Sequence, residues 1–133
     1  MPFLLDTDTC IYAIKQNQSV LQHLLSTARE DVAVSVITEA ELRTGAAKST
    51  SPARTLQRIE NFLRPISVLE FTSDDAIAYA AIRAKLERAG TPIGPLDTLI
   101  ASQAVARKLT LVSNNDREFR RVSGLTIANW ATT

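Results

Sequence analysis

Cysteine is nearly missing from this chain: Cys10 stands alone among 133 residues. No internal disulfide can form, so the fold rests on its core, and a lone thiol fits a reducing compartment, here expected to be the cytoplasm. Histidine is equally scarce, with His23 the only one. Without a second His or Cys at ligand spacing a zinc site is not supported. His23 also lacks an evident orienting acid, so Cys10 and His23 do not suggest a nucleophilic pair. Aromatics make up only 5% of the chain, which leaves a core of Leu, Ile, Val and Ala. Cys10, in the apolar run Cys10–Ile14, and Trp130 are expected in that core. A net charge of +1 gives no overall basic field, so whole-protein charge does not argue for nucleic acid. No apolar run approaches the roughly 20 residues of a membrane span. Asp6 and Asp8 interrupt the early apolar run, so no signal peptide is expected. Repeats, low-complexity tracts and linkers are also missing, and residues 1–133 are read as one domain.

What is present is an alternation of short apolar runs and helical patterns. Strands are expected at about 3–6, 32–36, 66–70, 110–112 and 125–128. Helices are expected at about 9–15, 19–29, 38–47, from Ser51-Pro52 through Leu63, 73–89, from Pro95 to about 108, and 117–121. Pro52 suits a first helical turn, Ser73, Asp74 and Asp75 supply a cap and first-turn acids, and Gly90 is a C-terminal stop. The alternation predicts an α/β fold: a central parallel sheet of about four to five strands flanked by helices.

Onto this pattern the acids fall at strand–helix junctions. Asp6 ends the run Phe3-Leu4-Leu5, Glu41 lies in the helix after Val32–Val36, Asp97 opens a helix after Gly94-Pro95, and Asp116 and Glu118 follow Leu109–Val112. In an open α/β sheet those junctions line one edge, outside the carboxyl ends of the strands. Carboxylates gathered there repel one another unless a hard cation such as Mg²⁺ or Mn²⁺ holds them, and phosphodiester hydrolysis is the usual chemistry. Asp6 is costly to bury without a partner, with helix N-capping as its plain alternative. Asp8 is a supporting group. Glu39 and Glu41 lie about 200° apart on a helix, so only one can face a site. Glu39 has Arg43 at i+4 for a surface pair, whereas Glu41 has Gly45 there, leaving room for a ligand. Asp97 sits in a first turn, where the helix dipole is expected to favour its ionised form. Among Asn114, Asn115, Asp116 and Glu118, at least one is expected to complete the site, and spacing does not choose between them. Five of the 15 Lys and Arg lie close by: Arg107, Lys108, Arg117, Arg120 and Arg121. Such a basic rim suits a polyanion, with Arg117, Arg120 and Arg121 the candidate phosphate contacts.

Leu4–Asp8 with Ile11-Tyr12, Ser35–Thr38 leading to Glu41-Leu42 and Gly45, Gly94–Asp97 with Ile100-Ala101, and Leu111–Asn115 with Arg117–Phe119 occur in order along the chain. The ending Gly124-Leu125 to Asn129-Trp130 continues the pattern. Together these resemble the PIN-domain ribonucleases, specifically the VapC-type toxins of bacterial toxin–antitoxin pairs. The resemblance implies a PIN-like sheet and an endoribonuclease dependent on Mg²⁺ or Mn²⁺, with Asp6, Glu41 and Asp97 as core ligands. It also implies an RNA substrate, with transfer RNA the leading class, a VapB-like antitoxin whose C-terminal segment blocks the cleft, a toxin dimer, and contact with DNA only through the antitoxin. The chain departs from the family pattern at Asp8, often Asn. Its fourth acidic place falls on Asn115, while Asp116 is adjacent and Glu118 matches an acid of some relatives. One rival is a phosphatase of the haloacid-dehalogenase type, suggested by Asp6-Thr7-Asp8, but it lacks a clear catalytic Lys. The other is a non-catalytic RNA-binding domain, against which the retained Asp6, Glu41 and Asp97 argue.

Overall fold

A computed structural model describes residues 2–132. Five short strands, β1 (Phe3–Leu5), β2 (Val32–Ser35), β3 (Ser67–Leu69), β4 (Thr110–Val112) and β5 (Thr126–Ala128), form one sheet in the order β3-β2-β1-β4-β5. Every pairing is parallel, with Leu5 opposite both Val34 and Val112. Among the described residues seven α-helices cover it: α1 (Thr7–Ile14), α2 (Gln18–Leu25), α3 (Val36–Ala47), α4 (Pro52–Leu63), α5 (Ser73–Arg88), α6 (Pro95–Arg107) and α7 (Asp116–Phe119). The α/β fold read from the sequence is the one observed. Its boundaries move by up to two residues at most junctions. The largest difference follows α2, which stops at Leu25 instead of running on to Arg29. Ser26 and Thr27 turn their hydroxyls back onto the Gln22 and His23 carbonyls, and Arg29–Asp31 forms a separate 3₁₀ turn. Short hydroxyl side chains offer the last carbonyls such an alternative to further helix.

The three central strands β1, β2 and β4 are mostly apolar and buried because both faces of the sheet are covered there, whereas the edge strands β3 and β5 are partly exposed. Side chains alternate between the faces. Leu5, Val34 and Val112 join Cys10, Val20, Leu42, Ile59 and Trp130 on one side. Leu4, Ala33 and Leu111 join Ile100, Ala101, Ala104 and Phe119 on the other. Leu4 and Leu5 are both fully buried, and each contributes about 1.5–3 kcal/mol through burial. Cys10 and Trp130 lie in the core as expected, with the exposed His23 ring stacked on Trp130 at 5.2 Å. Among the described residues, no helix is long and apolar enough to cross a membrane.

The strand order places the functional edge. The chain runs from β1 through β2 to β3 on one side, then returns to build β4 and β5 on the other. The connections therefore diverge beyond the carboxyl ends of β1 and β4, which is where an open sheet presents a crevice. Asp6 follows β1 at that point, and its backbone N–H donates to Val112 O at 3.0 Å.

Candidate active site at the carboxyl edge of the sheet

Asp6 is buried, 4% exposed, and serves as the N-cap of α1: its Oδ1 accepts from the Thr9 N–H at 2.8 Å. The plain capping role therefore coexists with a place beside Asp97, on which the Asp6 charge acts. Burial raises the Asp6 pKa, and hydrogen bonds from Ser113 and Thr9 oppose the rise in part. Ser113, directly after β4 and fully buried, both supports Asp6 and accepts the Asn115 N–H at 2.9 Å. Thr9 Oγ1 donates to Val112 O at 3.0 Å, so the end of β4 is pinned to the start of α1.

Asp97 lies at the third position of α6, which Gly94 caps and Pro95 opens. The helix dipole alone would favour its ionised form, and the structure overturns that expectation. Its pKa is pushed up to about 6, first by burial and then by the charges of Asp6, Glu41, Glu118 and Asp8. A partial charge at a helix end cannot offset partial desolvation beside four carboxylates. The same shift records which acids face one another: four chain segments deliver negative charge to one place.

Glu41 comes from α3, half-buried, with its Oε1 accepting from Thr7 Oγ1 at 2.6 Å. Glu39 pairs instead with Arg43 Nε at 2.8 Å on the outer face, as the spacing predicts. A Cβ at Gly45 would meet nothing within 4 Å, so open space beside Glu41 does not depend on that glycine. Asp8 is exposed, yet its charge reaches both Asp6 and Asp97.

The cluster after β4 separates by side-chain partner. Asn114 donates to Tyr12 Oη at 3.2 Å and accepts from Asn129 Nδ2 at 3.0 Å, which commits it to the neighbouring surface. Asn115 Nδ2 donates to Glu118 Oε2 at 3.1 Å, and Glu118 is one of the charges acting on Asp97. Asp116 departs from the expectation of a site acid. It pairs with Arg120 Nη2 at 2.8 Å one helical turn away, and that guanidinium holds its carboxyl below the usual range. After β4, Glu118 is the acid that helps raise the Asp97 pKa, and Asn115 steadies it.

The basic rim is also redistributed. Arg120 is engaged by Asp116, and Arg121 Nη1 donates to Pro92 O at 3.0 Å, tethering the loop that leads into α6. Arg107 is withdrawn altogether: it meets the fully buried Asp75 at 2.8 Å and the Glu70 carbonyl, beside Gln103. Arg117 is exposed and makes no ion pair among the described residues. Sequence reasoning overlooked Thr7, Thr9, Thr38 and Ser113. Their one signal was position, each lying within four residues of a strand's carboxyl end.

The donor set suits a hard divalent cation: carboxylate oxygens of Asp6, Glu41, Asp97 and Glu118, whose charges chiefly act on one another at Asp97. Among the described residues, no three acids stand close enough to grip an ion as they are. Asp6 and Glu41 are held by protein donors, Asp6 by Thr9 and Ser113 and Glu41 Oε1 by Thr7, whereas Asp97 makes no side-chain hydrogen bond among the described residues.

A PIN-domain profile matches residues 3–125. The chain is 41% identical over 130 residues to the tRNA(fMet)-specific endonuclease VapC of Salmonella typhimurium, with 98% of each chain covered. Among solved structures, it resembles DNA-bound VapBC from Salmonella typhimurium with a TM-score of 0.92 and 42% identity, covering 98% of each chain. VapBC2 from Rickettsia felis bound to a promoter DNA fragment gives a TM-score of 0.92 at 35% identity, covering 98% of this chain and 99% of that one.

Proposed function

The chain belongs to the PIN-domain family, among its VapC ribonucleases, and on that premise we propose that it is a divalent-metal-dependent endoribonuclease, the toxin of a toxin–antitoxin pair, that cleaves transfer RNA. Its partner is a cognate VapB-like antitoxin, and DNA is reached through that partner. Two copies of the toxin associate. The endoribonuclease class follows from its relatives; dependence on Mg²⁺ or Mn²⁺ is supported by the carboxylate set. The observation that carries the reading is the gathering at half-buried Asp97 of acids from three other segments, Asp6 and Asp8, Glu41, and Glu118.

The residues divide the work by position. Asp6, directly after β1, and Asp97, in the first turn of α6, would be the main ligands. Glu41 and Glu118 flank them, and Asp8 adds negative charge at the rim. A divalent cation held there supplies Lewis acidity toward a phosphate oxygen and toward water. Glu41, fixed by Thr7, orients the attacking water and takes up its proton. Asn115 keeps Glu118 turned to the site, and Ser113 keeps Asp6 in place. Arg117, the rim arginine with no ion pair among the described residues, contacts a flanking phosphate. His23 takes no part, since its ring is stacked on Trp130.

The test is incubation of the purified chain with bulk transfer RNA and Mn²⁺, with and without EDTA, followed by sequencing of RNA ends. Discrete new ends that vanish with EDTA and return with excess Mn²⁺ are expected. Intact transfer RNA beside cleavage of another RNA class would refute the substrate assignment. Cleavage indifferent to EDTA would refute the metal.

A further inference from the structure

We propose that the Thr7 hydroxyl holds Glu41 in place, making Thr7 a positioning residue for the cleavage reaction. The inference rests on the placement of Glu41 in the active site. Thr7 opens α1 directly after Asp6, and its Oγ1 lies 2.6 Å from Glu41 Oε1 and 3.1 Å from Thr38 Oγ1. The Thr7 hydroxyl is the donor toward both oxygens and has a single proton. The contact to Glu41 is shorter by half an ångström, at a separation typical of a strong O–H···O bond to a carboxylate. Thr38 Oγ1 is the longer, weaker acceptor, fully buried in the first turn of α3, and it lines the other side of the Thr7 hydroxyl.

The consequence is geometric. Glu41 is half-buried on a flexible stem, and without a fixed partner it would sample several rotamers. Thr7 selects one of them and occupies Oε1, leaving Oε2 for the water or cation. Because Thr7 is covalently next to Asp6, the same residue sets the spacing between two acids that come from different elements. A catalytic carboxylate displaced by about 1 Å costs on the order of 10²-fold in rate.

The experiment compares Thr7→Val, which keeps the shape and removes the hydroxyl, with Thr7→Ser, which keeps the hydroxyl, and with Thr7→Ala as a second hydroxyl-free form. Thr7→Val is expected to lower kcat on transfer RNA by about 10–100-fold with KM changed by less than about twofold. Thr7→Ser should recover most of that activity. In a Glu41→Gln background Thr7→Val should add less than about twofold, since its effect passes through Glu41. Crystal structures give a readout independent of activity and metal: Glu41 should leave its position in Thr7→Val and Thr7→Ala, and regain it in Thr7→Ser. Parental kcat in Thr7→Val, or an unmoved Glu41 in both hydroxyl-free variants, would overturn the proposal. If the parent itself cleaves no RNA, the functional reading fails, while the crystallographic comparison still decides whether Thr7 holds Glu41.

Discussion

Replacing Asp97 with Asn should make the metal-free protein more stable while destroying its activity. Asp97 has its pKa raised from 3.8 to about 6 by burial and by Asp6, Glu41, Glu118 and Asp8. A raised carboxyl pKa means that the folded state resists ionisation, so the ionised group destabilises the fold. At full strength that penalty is about 3 kcal/mol. Asp97 is half in solvent, so screening reduces it to roughly 1–1.5 kcal/mol. Asn keeps the shape without the charge, and the melting temperature in EDTA at pH 7.5 should rise by about 3–6 °C for a chain of this size. The gain follows a defined pH course. It is complete above about pH 6, shrinks as pH falls between 6 and 3.8, and is gone below 3.8, where Asp97 is protonated in folded and unfolded chains alike. Calorimetry of both proteins across pH 3.5–8 in EDTA measures it. Saturating Mn²⁺ should reverse the ranking, because metal bound only by the folded parent adds stability by mass action, about 2.7 kcal/mol at a hundredfold excess over Kd. A variant less stable than the parent in EDTA at pH 7.5 would refute the electrostatic account of the site.

Three further outcomes follow from the same geometry. Glu41→Gln should reduce cleavage by about 10²-fold or more, whereas Glu39→Gln, which removes only an exposed pair with Arg43, should stay within about twofold; single-turnover assays on transfer RNA distinguish them. Glu118→Gln should impair cleavage and weaken Mn²⁺ binding, while Asp116→Asn, whose carboxylate serves Arg120, should do neither; Mn²⁺ titrations followed by melting temperature and by rate supply both readouts. Arg117→Glu should lower the salt slope of RNA binding by roughly 0.7 for each phosphate that is no longer neutralised. Arg121→Glu, which frees the loop held at Pro92 O, should reduce kcat more than it changes that slope.

The sheet and helices were legible because their signals are local. Leu4 and Leu5 mark a strand buried on both faces, Pro52 and Pro95 stand in the first turns of α4 and α6, and Gly90 lies just beyond α5 with φ at 71°. Gathering the acids at one edge followed from the parallel topology, and the Glu39–Glu41 choice followed from helical phase. What stayed hidden depends on which partner a side chain finds across the fold. Asp116 and Glu118 are two residues apart, and only the position of Arg120 one turn on, with Asn115 beside Glu118, separates their roles. Arg107 resembles rim charge in the sequence because its partner, Asp75, is 32 residues away. The direction of the Asp97 shift is hidden for the same reason: the dipole is visible in sequence, but the summed charge of four remote carboxylates is not. Thr7 gives no hint of its reach to Glu41, since a threonine at a helix start serves local capping as readily.

The central claim is that these carboxylates direct water, with a divalent cation, at the phosphodiester. Cleavage of transfer RNA in H₂¹⁸O, followed by mass spectrometry of the new termini, tests it most directly. One ¹⁸O per cut should appear in the terminal phosphate, with no 2′,3′-cyclic phosphate at any time, and a substrate carrying a 2′-deoxy sugar at the cut should still be cleaved. A cyclic phosphate product, abolished cleavage on 2′-deoxy substitution, or cleavage that persists in EDTA would contradict the account.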